Sequence, residues 1–431
     1  MSRRRFASPV LVCLGALLLL GGCMFARLER SLEKKRQYGT LQGTIRAEGA
    51  SDLPIVVVAY TMVDDAPLVV DEFVLAGPGP YFFFLPTDDY RVAAFQDVDR
   101  NFTYDPGTDP AALLNGGEPV TVAGGATVGG LDIEIRDAGQ TLPFQPVSAD
   151  RDGAGERSLR DFHAGEVTRI DDPRFSVENA RRGLWQPAEF LLYVGAGVYF
   201  LEPYDPRKVP VLFVHGAVGH PGNFTHLIAR LDRERFQPWV VYYPTAVGLE
   251  TTATSLDRWV QALYVRHRFE RMAVVAHSMG GLVARAFINR AVAAGDGRAA
   301  GLRLFVSIST PWDGHRAAQG GVQRAPVVAP SWYDMAPGSP FLKELLSNPL
   351  PPTLRYDLLF SYAGASLLVR GPNDGAVTIV SQLVLRAQEQ SRTGRGFDES
   401  HGGILRSDAV AEMITRELAA VVLGSGEGEQ E

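Results

Sequence analysis

Short hydrophobic runs rich in β-forming residues dominate the first third of the chain. Clusters of Gly, Pro and Asp, which favour turns, separate these runs. Short strands at this spacing predict a small all-β sandwich over residues 38–136. The runs are 40–45, 55–60, 81–85, 90–95 and 131–135. The polar, irregular stretch 137–185 that follows is predicted to be a linker.

From residue 209 onward, apolar runs alternate with helical patterns, which predicts a mostly parallel sheet with crossover helices. An apolar stretch over 183–204 leads into this region, so we predict an α/β domain over 186–425. The predicted strands are 209–214, 239–243, 272–275, 302–308 and 357–361. The predicted helices are 224–231, 254–267, 280–292 and 408–422.

The N-terminal pattern predicts a secretory signal peptide over residues 1–22. Arginines at 3–5 precede an apolar run over 10–20, which is too short to span a bilayer as a mature helix. The next residues, Leu20-Gly21-Gly22-Cys23, resemble the bacterial lipobox, in which the cysteine becomes the acylated first residue. A plain cleaved signal with a chance cysteine is the alternative.

Cysteine usage agrees with a lipid anchor. The chain has two cysteines, Cys13 inside the predicted signal and Cys23, so the processed protein has no disulfide. The resemblance to bacterial lipoproteins implies triple acylation of Cys23, which exceeds the two signals that stable anchoring needs. Met24 follows in place of the aspartate of an inner-membrane retention signal. The resemblance therefore implies the outer membrane of a bacterial cell envelope.

Residues 23–37 are predicted to form a charged tether between the anchor and the first domain. Phe25, Leu28 and Leu32 fall at helical spacing among basic side chains. This pattern permits an amphipathic turn that rests on the membrane surface. A solvated linker is an equally good interpretation.

Net charge argues against nucleic acid as a partner. The whole chain carries a formal charge of −7, and removal of three signal arginines gives −7 − 3 = −10. Nucleic-acid binding needs a basic face that neutralises phosphates, and the sequence supplies none.

The most informative stretch is Ala276-His277-Ser278-Met279-Gly280-Gly281, between a predicted strand and a predicted helix. A serine on a sharp strand-to-helix turn needs small residues two positions away on each side, here Ala276 and Gly280. The turn also places free N–H groups of the new helix where an oxyanion would develop. We predict Ser278 as a nucleophile. An ordinary turn with an incidental serine is the alternative.

A serine nucleophile needs an imidazole base and a carboxylate that orients this base. The histidines after Ser278 are His315 and His401, and His401 lies in the loop ahead of the final predicted helix. A base that follows the nucleophile late in the chain is typical of this arrangement, so we predict His401. His315 follows a strand too closely and is predicted to shape the pocket wall.

For the acid we predict Asp374, in the turn-rich loop 371–375, which precedes His401 by 401 − 374 = 27 residues. Asp357, at the start of a predicted strand, and Asp334, in a Pro-rich excursion, are the competitors. A plain Asn-Asp-Gly turn is the structural alternative for Asp374.

Two backbone donors are predicted to form an oxyanion hole. One is the N–H of Met279, directly after the nucleophile, and the other is the N–H of Ala217, in the loop after the first core strand. His215 and His277 precede Ser278 and are assigned hydrogen bonds that fix loops. The predicted chemistry needs no metal and no cofactor.

Residues 97–105 alternate oxygen-bearing side chains, which suit a hard cation such as calcium. Phe102 stands where an EF-hand needs glycine, and no glutamate closes the loop, so this segment is not an EF-hand. We favour a polar turn held by its own Asx hydrogen bonds. The weaker alternative is a calcium site formed by Asp97, Asp99, Asn101 and Asp105.

Residues 315–352 insert a Pro-rich, apolar stretch between two predicted core strands. Such length without function is uncommon, and a cap over the active site would explain it. An apolar cap favours an acyl chain or another greasy ester as substrate. An ordinary long connection is the alternative.

On these motifs, residues 205–425 resemble the lipase and esterase branch of the α/β-hydrolases. They are particularly similar to the PGAP1-like (GPI inositol-deacylase-like) esterases, through Ser309-Thr310-Pro311-Trp312-Asp313-Gly314 and Asn373-Asp374-Gly375-Ala376-Val377. The resemblance implies an α/β-hydrolase fold and ester hydrolysis. The segment 38–136 loosely resembles transthyretin-like or carboxypeptidase-regulatory-like modules.

The sequence thus predicts a membrane-anchored serine esterase or lipase that cleaves an ester or lipid through an acyl-enzyme. An acyltransferase with the same residues is one alternative, which product analysis with alcohol acceptors would separate. A surface-binding lipoprotein with an inert hydrolase domain is the other, and an inert site would not react with a fluorophosphonate probe.

Overall fold

The strands of the described residues form three sheets, two within residues 38–135 and one within residues 162–397. The structure, a computed structural model, describes residues 9–48, 52–136, 140–144, 162–364 and 371–423. The predicted signal arginines at 3–5 and part of the predicted linker, residues 145–161, lie outside the described residues.

Two sheets pack face to face in the N-terminal half. Their strands are β1 (Tyr38–Ala47), β2 (Ile55–Val63), β3 (Ala66–Leu75), β4 (Gly79–Pro86), β5 (Asp88–Gln96), β6 (Ala111–Leu113), β7 (Val120–Val122), β8 (Thr127–Val128) and β9 (Ile133–Ile135). One sheet has the order β4-β1-β8, with β9 also paired to β1; the other has the order β3-β2-β5-β6, with β7 paired to β5. Alternate side chains such as Leu41, Val57 and Phe83 fill the space between the sheets. The strand-rich N-terminal domain predicted from the sequence is confirmed.

An eight-stranded sheet forms the centre of the region 162–423. Its strands are β10 (Phe162–Val167), β11 (Ala196–Phe200), β12 (Val209–Val214), β13 (Phe236–Tyr242), β14 (Met272–His277), β15 (Leu302–Ile308), β16 (Arg355–Ser361) and β17 (Thr393–Phe397). Their order is β10-β11-β13-β12-β14-β15-β16-β17. β11 and β13 run antiparallel, and the other neighbours in this sheet are parallel. The mostly parallel sheet of the prediction is confirmed.

Helices flank and connect these strands. They are α1 (Pro9–Arg36), α2 (Val177–Trp185), α3 (Pro187–Tyr193), α4 (Thr225–Ile228), α5 (Leu249–His267), α6 (Met279–Ala294), α7 (Arg298–Gly301), α8 (Arg316–Arg324), α9 (Pro330–Met335), α10 (Pro340–Leu345), α11 (Ile379–Gln382), α12 (Leu385–Gln390) and α13 (Asp408–Leu423). The inner strands are continuous apolar runs because both faces of a parallel sheet are covered. Side chains of α5, α6 and α13 join these strands in one continuous core.

The linker prediction for 137–185 is wrong over its described C-terminal part. β10 pairs in parallel with β11 at the edge of the large sheet, and α2 follows it. Arg174 holds this region together through ion pairs with Glu166 at 2.6 Å and Asp172 at 2.7 Å. An edge strand is half exposed and carries polar residues, so its sequence lacks the apolar run that marks a central strand.

The solvated-linker interpretation of residues 23–37 is wrong for the segment from Phe25 to Arg36, which continues α1 and packs on the protein. Two of the three apolar positions of this segment, Leu28 and Leu32, face the protein. Leu28 is fully buried with Ala246 and Ala329, and Leu32 packs against this cluster. Within the described residues, no helix is both long and apolar enough to cross a bilayer.

Arg258 of α5 joins the region of the large sheet to the N-terminal sandwich. Its guanidinium forms an ion pair with Asp71 of β3 at 2.8 Å, and both side chains are nearly buried. It also hydrogen-bonds the carbonyl oxygen of Glu72 and lies 4.9 Å from the centre of the Phe73 ring. A buried ion pair that also stacks on an aromatic ring fixes the sandwich on the outside of α5.

Candidate active site

A sharp turn connects β14 to α6, and Ser278 is the residue at its corner. Ser278 has φ 55° and ψ −129°, and α6 begins at the next residue, Met279. A positive φ is uncommon for a residue other than glycine, and such conformations are concentrated at functional sites. The amide of Ser278 donates to the carbonyl oxygen of Ile308 in β15 at 2.8 Å, which holds the turn against the next strand.

Small residues make this turn sterically possible. A Cβ on Gly280 would collide with the carbonyl oxygens of Val214 and His215, and one on Gly281 would collide with the Thr310 side chain. A Cβ on Gly216 would lie 2.7 Å from the Ser278 Cβ. The loop after β12 therefore lies directly against Ser278, as the predicted oxyanion-hole arrangement requires.

The three residues predicted for catalysis lie in one hydrogen-bonded line. His401 Nε2 is 2.9 Å from the Ser278 Oγ, and His401 Nδ1 is 2.7 Å from Asp374 Oδ2. They come from three separate loops at the carboxyl ends of parallel strands or beyond them, 123 and 27 residues apart in sequence. Ser278 is 9% exposed and Asp374 is fully buried, whereas the side chain of His401 is 19% exposed. Access from solvent is thus limited to the serine and imidazole end of the line.

Asp374 is held as a carboxylate by several donors. Its Oδ1 accepts the amides of Ala376 at 3.0 Å and Val377 at 2.7 Å. Its Oδ2 accepts the Ser361 hydroxyl at 2.7 Å and the Gln382 amide at 3.2 Å, in addition to His401. Burial by itself would raise the pKa of Asp374, but the hydrogen bond and charge of His401 and the two amides outweigh it and lower that pKa.

The two competing carboxylates have other partners. Asp334 Oδ2 accepts the amide of Leu249 at 2.6 Å and so caps the start of α5. Asp357 lies in β16 and pairs at 3.7 Å with Arg392. Burial raises the pKa of both carboxyls, which opposes a role as a permanently charged partner of an imidazole.

Ser361 and Gln382 were missed by sequence reasoning. Ser361 closes β16, and its hydroxyl also lies 2.6 Å from that of Ser309. Its place at the carboxyl end of a predicted parallel strand is a usable signal, because such ends line the site in this kind of sheet. Gln382 bonds both Asp374 and the backbone of Ser361. No local pattern marks it, since its role depends on how α11 folds back.

His277 fixes the loop that carries the base. Its Nε2 lies 2.8 Å from the carbonyl oxygen of His401, and the two rings are 4.7 Å apart. The amide of His401 donates to the carbonyl oxygen of Asp374 at 2.8 Å. Burial, with a smaller effect of the neighbouring His401 charge, lowers the pKa of His277 to about 3, so the ring is neutral at physiological pH. These contacts agree with the loop-fixing role assigned from the sequence.

Replacement of His277 by leucine is expected to lower kcat for a soluble ester by about 10²-fold, because misplacement of a reacting group by about 1 Å costs that much. His277→Gln keeps a side-chain donor at a similar distance and is expected to recover most of the loss. Steady-state kinetics on both variants would check this. Equal defects in the two variants would mean that the hydrogen bond to the His401 carbonyl has no positioning role.

Buried neutral histidines also predict acid sensitivity. Burial lowers the pKa of His215, as it does that of His277, from 6.5 to about 3. The unfolded chain therefore binds protons below about pH 6.5 that the folded chain does not, so the free energy of unfolding falls between about pH 6.5 and 3. The expected slope is at most about 1.4 kcal/mol per pH unit for each ring. Chemical denaturation at pH 7 and 5 should show that the free energy of unfolding falls less for His277→Gln than for the wild type. An equal fall in the two proteins would refute the contribution of His277.

The predicted oxyanion donors lie on two sides of Ser278. Met279 is the first residue of α6, and Ala217 is exposed in the loop after β12. The next amides of this loop are engaged, since Val218 donates to Thr245 Oγ1 at 3.3 Å and Gly219 to the Gly216 carbonyl at 3.0 Å. The amide of Ala217 is therefore the candidate donor of this loop.

The predicted cap, residues 315–352, contains α8, α9 and α10. His315 lies at its start, where its Nδ1 accepts the amide of Ala317 at 3.2 Å and its own amide donates to the Met335 carbonyl at 2.8 Å. The end of α10 is tied to α6 by Asn289, which donates to the Leu345 carbonyl at 3.0 Å. His315 also hydrogen-bonds the backbone of Ala376, in the loop that carries Asp374, so it joins the start of the cap to the acid loop. Among the described residues, no hydrogen bond joins it to Ser278.

The acidic segment 97–105 forms the polar turn that the sequence favoured. The side chain of Asp97 accepts the amides of Asn101 at 3.1 Å and Phe102 at 2.9 Å. Asn101 Nδ2 donates to Asp99 at 2.9 Å and to Asp105 at 2.8 Å. Among the residues that the structure describes, no group of three acidic, histidine or cysteine side chains is arranged to hold a metal. The weak calcium prediction for these four residues is not supported.

A family model described as the alpha/beta hydrolase family matches residues 211–426. A search of curated proteins finds no match. Among solved structures, the mature form of the lipase BlEst2 of Bacillus licheniformis is 16% identical, with a TM-score of 0.41, over 51% of this chain and 97% of that one. The phospholipase PlaB of Legionella pneumophila is 16% identical, with a TM-score of 0.35, over 41% and 44% of the two chains. Aspergillus fumigatus lipase B is 16% identical, with a TM-score of 0.39, over 53% and 57%.

Proposed function

Because this chain belongs to the alpha/beta hydrolase family, we propose that it hydrolyses carboxylic esters through Ser278, His401 and Asp374. The observation that carries the proposal is the hydrogen-bonded line of 2.9 Å and 2.7 Å from the Ser278 hydroxyl through His401 to a buried carboxylate. A hydroxyl becomes a nucleophile when a base can take its proton, and an imidazole is a better base when a carboxylate orients it and stabilises its cation.

The proposed reaction has two halves. Ser278 Oγ attacks the ester carbonyl carbon while His401 Nε2 takes the hydroxyl proton, and the amides of Met279 and Ala217 donate to the developing oxyanion. His401 then protonates the alcohol as the carbon–oxygen bond breaks, which leaves an acyl-enzyme on Ser278. A water molecule, deprotonated by the same imidazole, attacks the acyl-enzyme and releases the acid. Asp374 remains ionised throughout, in agreement with its lowered pKa.

The proposal extends to the membrane. Cys23 is exposed and is the cysteine of the lipobox-like sequence, so acylation there would anchor the chain in the cell envelope, at the outer membrane. The substrate proposed for such an enzyme is a lipid-like ester, as the resemblance of its loops to the PGAP1-like esterases implies. A Cys23→Ser variant is expected to move from the membrane fraction to the soluble fraction, while its hydrolysis of a soluble ester is unchanged.

Esters of graded acyl length test the catalytic part of the proposal. The purified protein is expected to release p-nitrophenol from esters of several chain lengths, and the Ser278→Ala variant is expected to release none above background. Addition of simple alcohols should leave free acid as the main product, since transfer to an alcohol would indicate an acyltransferase. No turnover of any ester would remove the proposal.

A further inference from the structure

Three aromatic rings contact one another edge to face beside α1, a few residues after the apolar sequence 10–20. Phe25 of α1 meets Trp185 of α2 edge to face, with ring centres 5.4 Å apart and planes at 89°. Trp185 in turn meets Trp332 of α9, at 6.2 Å and 87°. We call Phe25, Trp185 and Trp332 the aromatic cluster. It joins the N-terminal helix, the entry to the hydrolase domain and the cap.

The aromatic cluster is partly exposed although its surroundings are packed. All three residues are partly exposed, and the neighbouring Tyr333 is 55% exposed. The chain has five tryptophans, and the other three, Trp239, Trp259 and Trp312, are at most 4% exposed. The two partly exposed tryptophans, Trp185 and Trp332, therefore lie together in the aromatic cluster.

The contacts beneath the aromatic cluster hold it rigidly on the hydrolase domain. Leu28, one turn after Phe25, is fully buried with Ala246 and Ala329. Ser31 accepts the amide of Ala188 at 2.8 Å and donates to Glu189 at 2.6 Å. The same carboxylate pairs with Lys34 at 2.6 Å. α1 is thus fixed to the domain by apolar packing, a hydrogen bond and an ion pair.

The position of Phe25 on α1 indicates which partner would cover the aromatic cluster. Cys23 is exposed two residues before Phe25, and the apolar sequence 10–20 belongs to the same helix. At 1.5 Å per residue, Cys23 and Phe25 are only about 3 Å apart along the helix axis. Anything that anchors the chain at this end brings the three rings to the level of the lipid headgroups. Indole rings, with an apolar body and one N–H donor, favour that region of a bilayer.

We propose that the aromatic cluster is a membrane-docking surface whose partner is a phospholipid bilayer. It rests on the anchoring in the proposed function, and adds that the folded domain itself touches the lipid in a fixed orientation. Because Trp332 belongs to the cap, this orientation puts the cap at the bilayer surface. The enzyme then takes an ester lipid from the membrane that holds it.

Tryptophan quenching by labelled lipids tests this directly. The protein that carries its anchor at Cys23 is reconstituted into vesicles of phosphatidylcholine and phosphatidylglycerol that contain a lipid brominated near the headgroup. We expect part of the tryptophan emission to be quenched. Replacement of Trp185 and Trp332 together by phenylalanine should remove most of the quenched fraction, whereas the matched control Trp259→Phe should leave the quenched fraction of the remaining emission unchanged or higher.

The outcomes separate the docking proposal from the proposed function. The docking surface would be overturned, while anchoring stands, by either of two results. One is vesicle-bound protein that shows no quenching, and the other is a quenched fraction that survives in the Trp185→Phe/Trp332→Phe variant. Protein that does not float with vesicles would overturn both docking and anchoring. Hydrolysis of a soluble ester in the same samples shows independently whether the esterase proposal holds and whether each variant is folded.

Discussion

Ser278→Ala is expected to lower kcat/KM for a short p-nitrophenyl ester by about 10⁶-fold, since removal of the nucleophile in a serine hydrolase costs that order. The reason is local, because the Ser278 hydroxyl is the atom that His401 Nε2 faces at 2.9 Å. The measurement is the initial rate of p-nitrophenol release with both proteins at equal concentration.

A matched control makes this result specific. Ser255 lies on α5, half-buried, with its hydroxyl bonded to the Thr251 carbonyl oxygen, and Ser255→Ala is expected to keep the full rate. Circular dichroism should show that both variants are folded, because an alanine side chain fits wherever a serine does. A Ser278→Ala protein that retains more than a small fraction of the wild-type rate would place the nucleophile elsewhere.

His401→Ala is expected to be nearly as damaging, with a loss of about 10⁶-fold in kcat. The imidazole is the base for the attack and the acid for the departure of the alcohol, so its loss disables the same step as loss of the hydroxyl. Groups that act as one unit are not additive. The double variant Ser278→Ala/His401→Ala is therefore expected to be no slower than either single variant.

Initial rates of the wild type, the two single variants and the double variant give this comparison. A double variant that is slower than the single ones by the product of their effects would show that the two residues act separately. The hydrogen-bonded line would then be a structural contact without a shared catalytic role.

How far the sequence predicts the fold depends on where each strand lies in the sheet. The strands predicted over 209–214 and 302–308 agree with β12 and β15, because interior parallel strands are continuous apolar runs with clear ends. β10 and β17 were missed, since they are edge strands with polar sequences such as Thr393-Gly394-Arg395-Gly396-Phe397. These strands form because they pair with an adjacent strand of the sheet. The residue pattern of one segment gives no information about that adjacent strand.

The N-terminal helix shows a second limit of the sequence. Helical spacing of Phe25, Leu28 and Leu32 indicated an apolar face, but not which surface it meets. Only the fold brings Trp185 and Ala329 opposite this face. A membrane and a protein core present the same apolar chemistry to a helix, so the pattern could not distinguish them.

For the candidate site, the turn around Ser278 and the late histidine are local patterns that the sequence displays. Asp374 was chosen by position against Asp334 and Asp357, and the structure supplies the reason, because it alone of the three contacts His401. Ser361 and Gln382, which hold the same carboxylate, depend on long-range packing. A hydrogen bond between distant loops produces no recognisable residue pattern in the sequence of either loop.

The role of Ser278 as the nucleophile is tested by the mass of the protein after treatment with a fluorophosphonate, followed by mapping of the modified peptide. We expect one phosphonyl group per chain, attached to Ser278 and absent from Ser278→Ala, with labelling that becomes very slow in His401→Ala. A protein that stays unmodified, or one that carries the group on another serine, would contradict it.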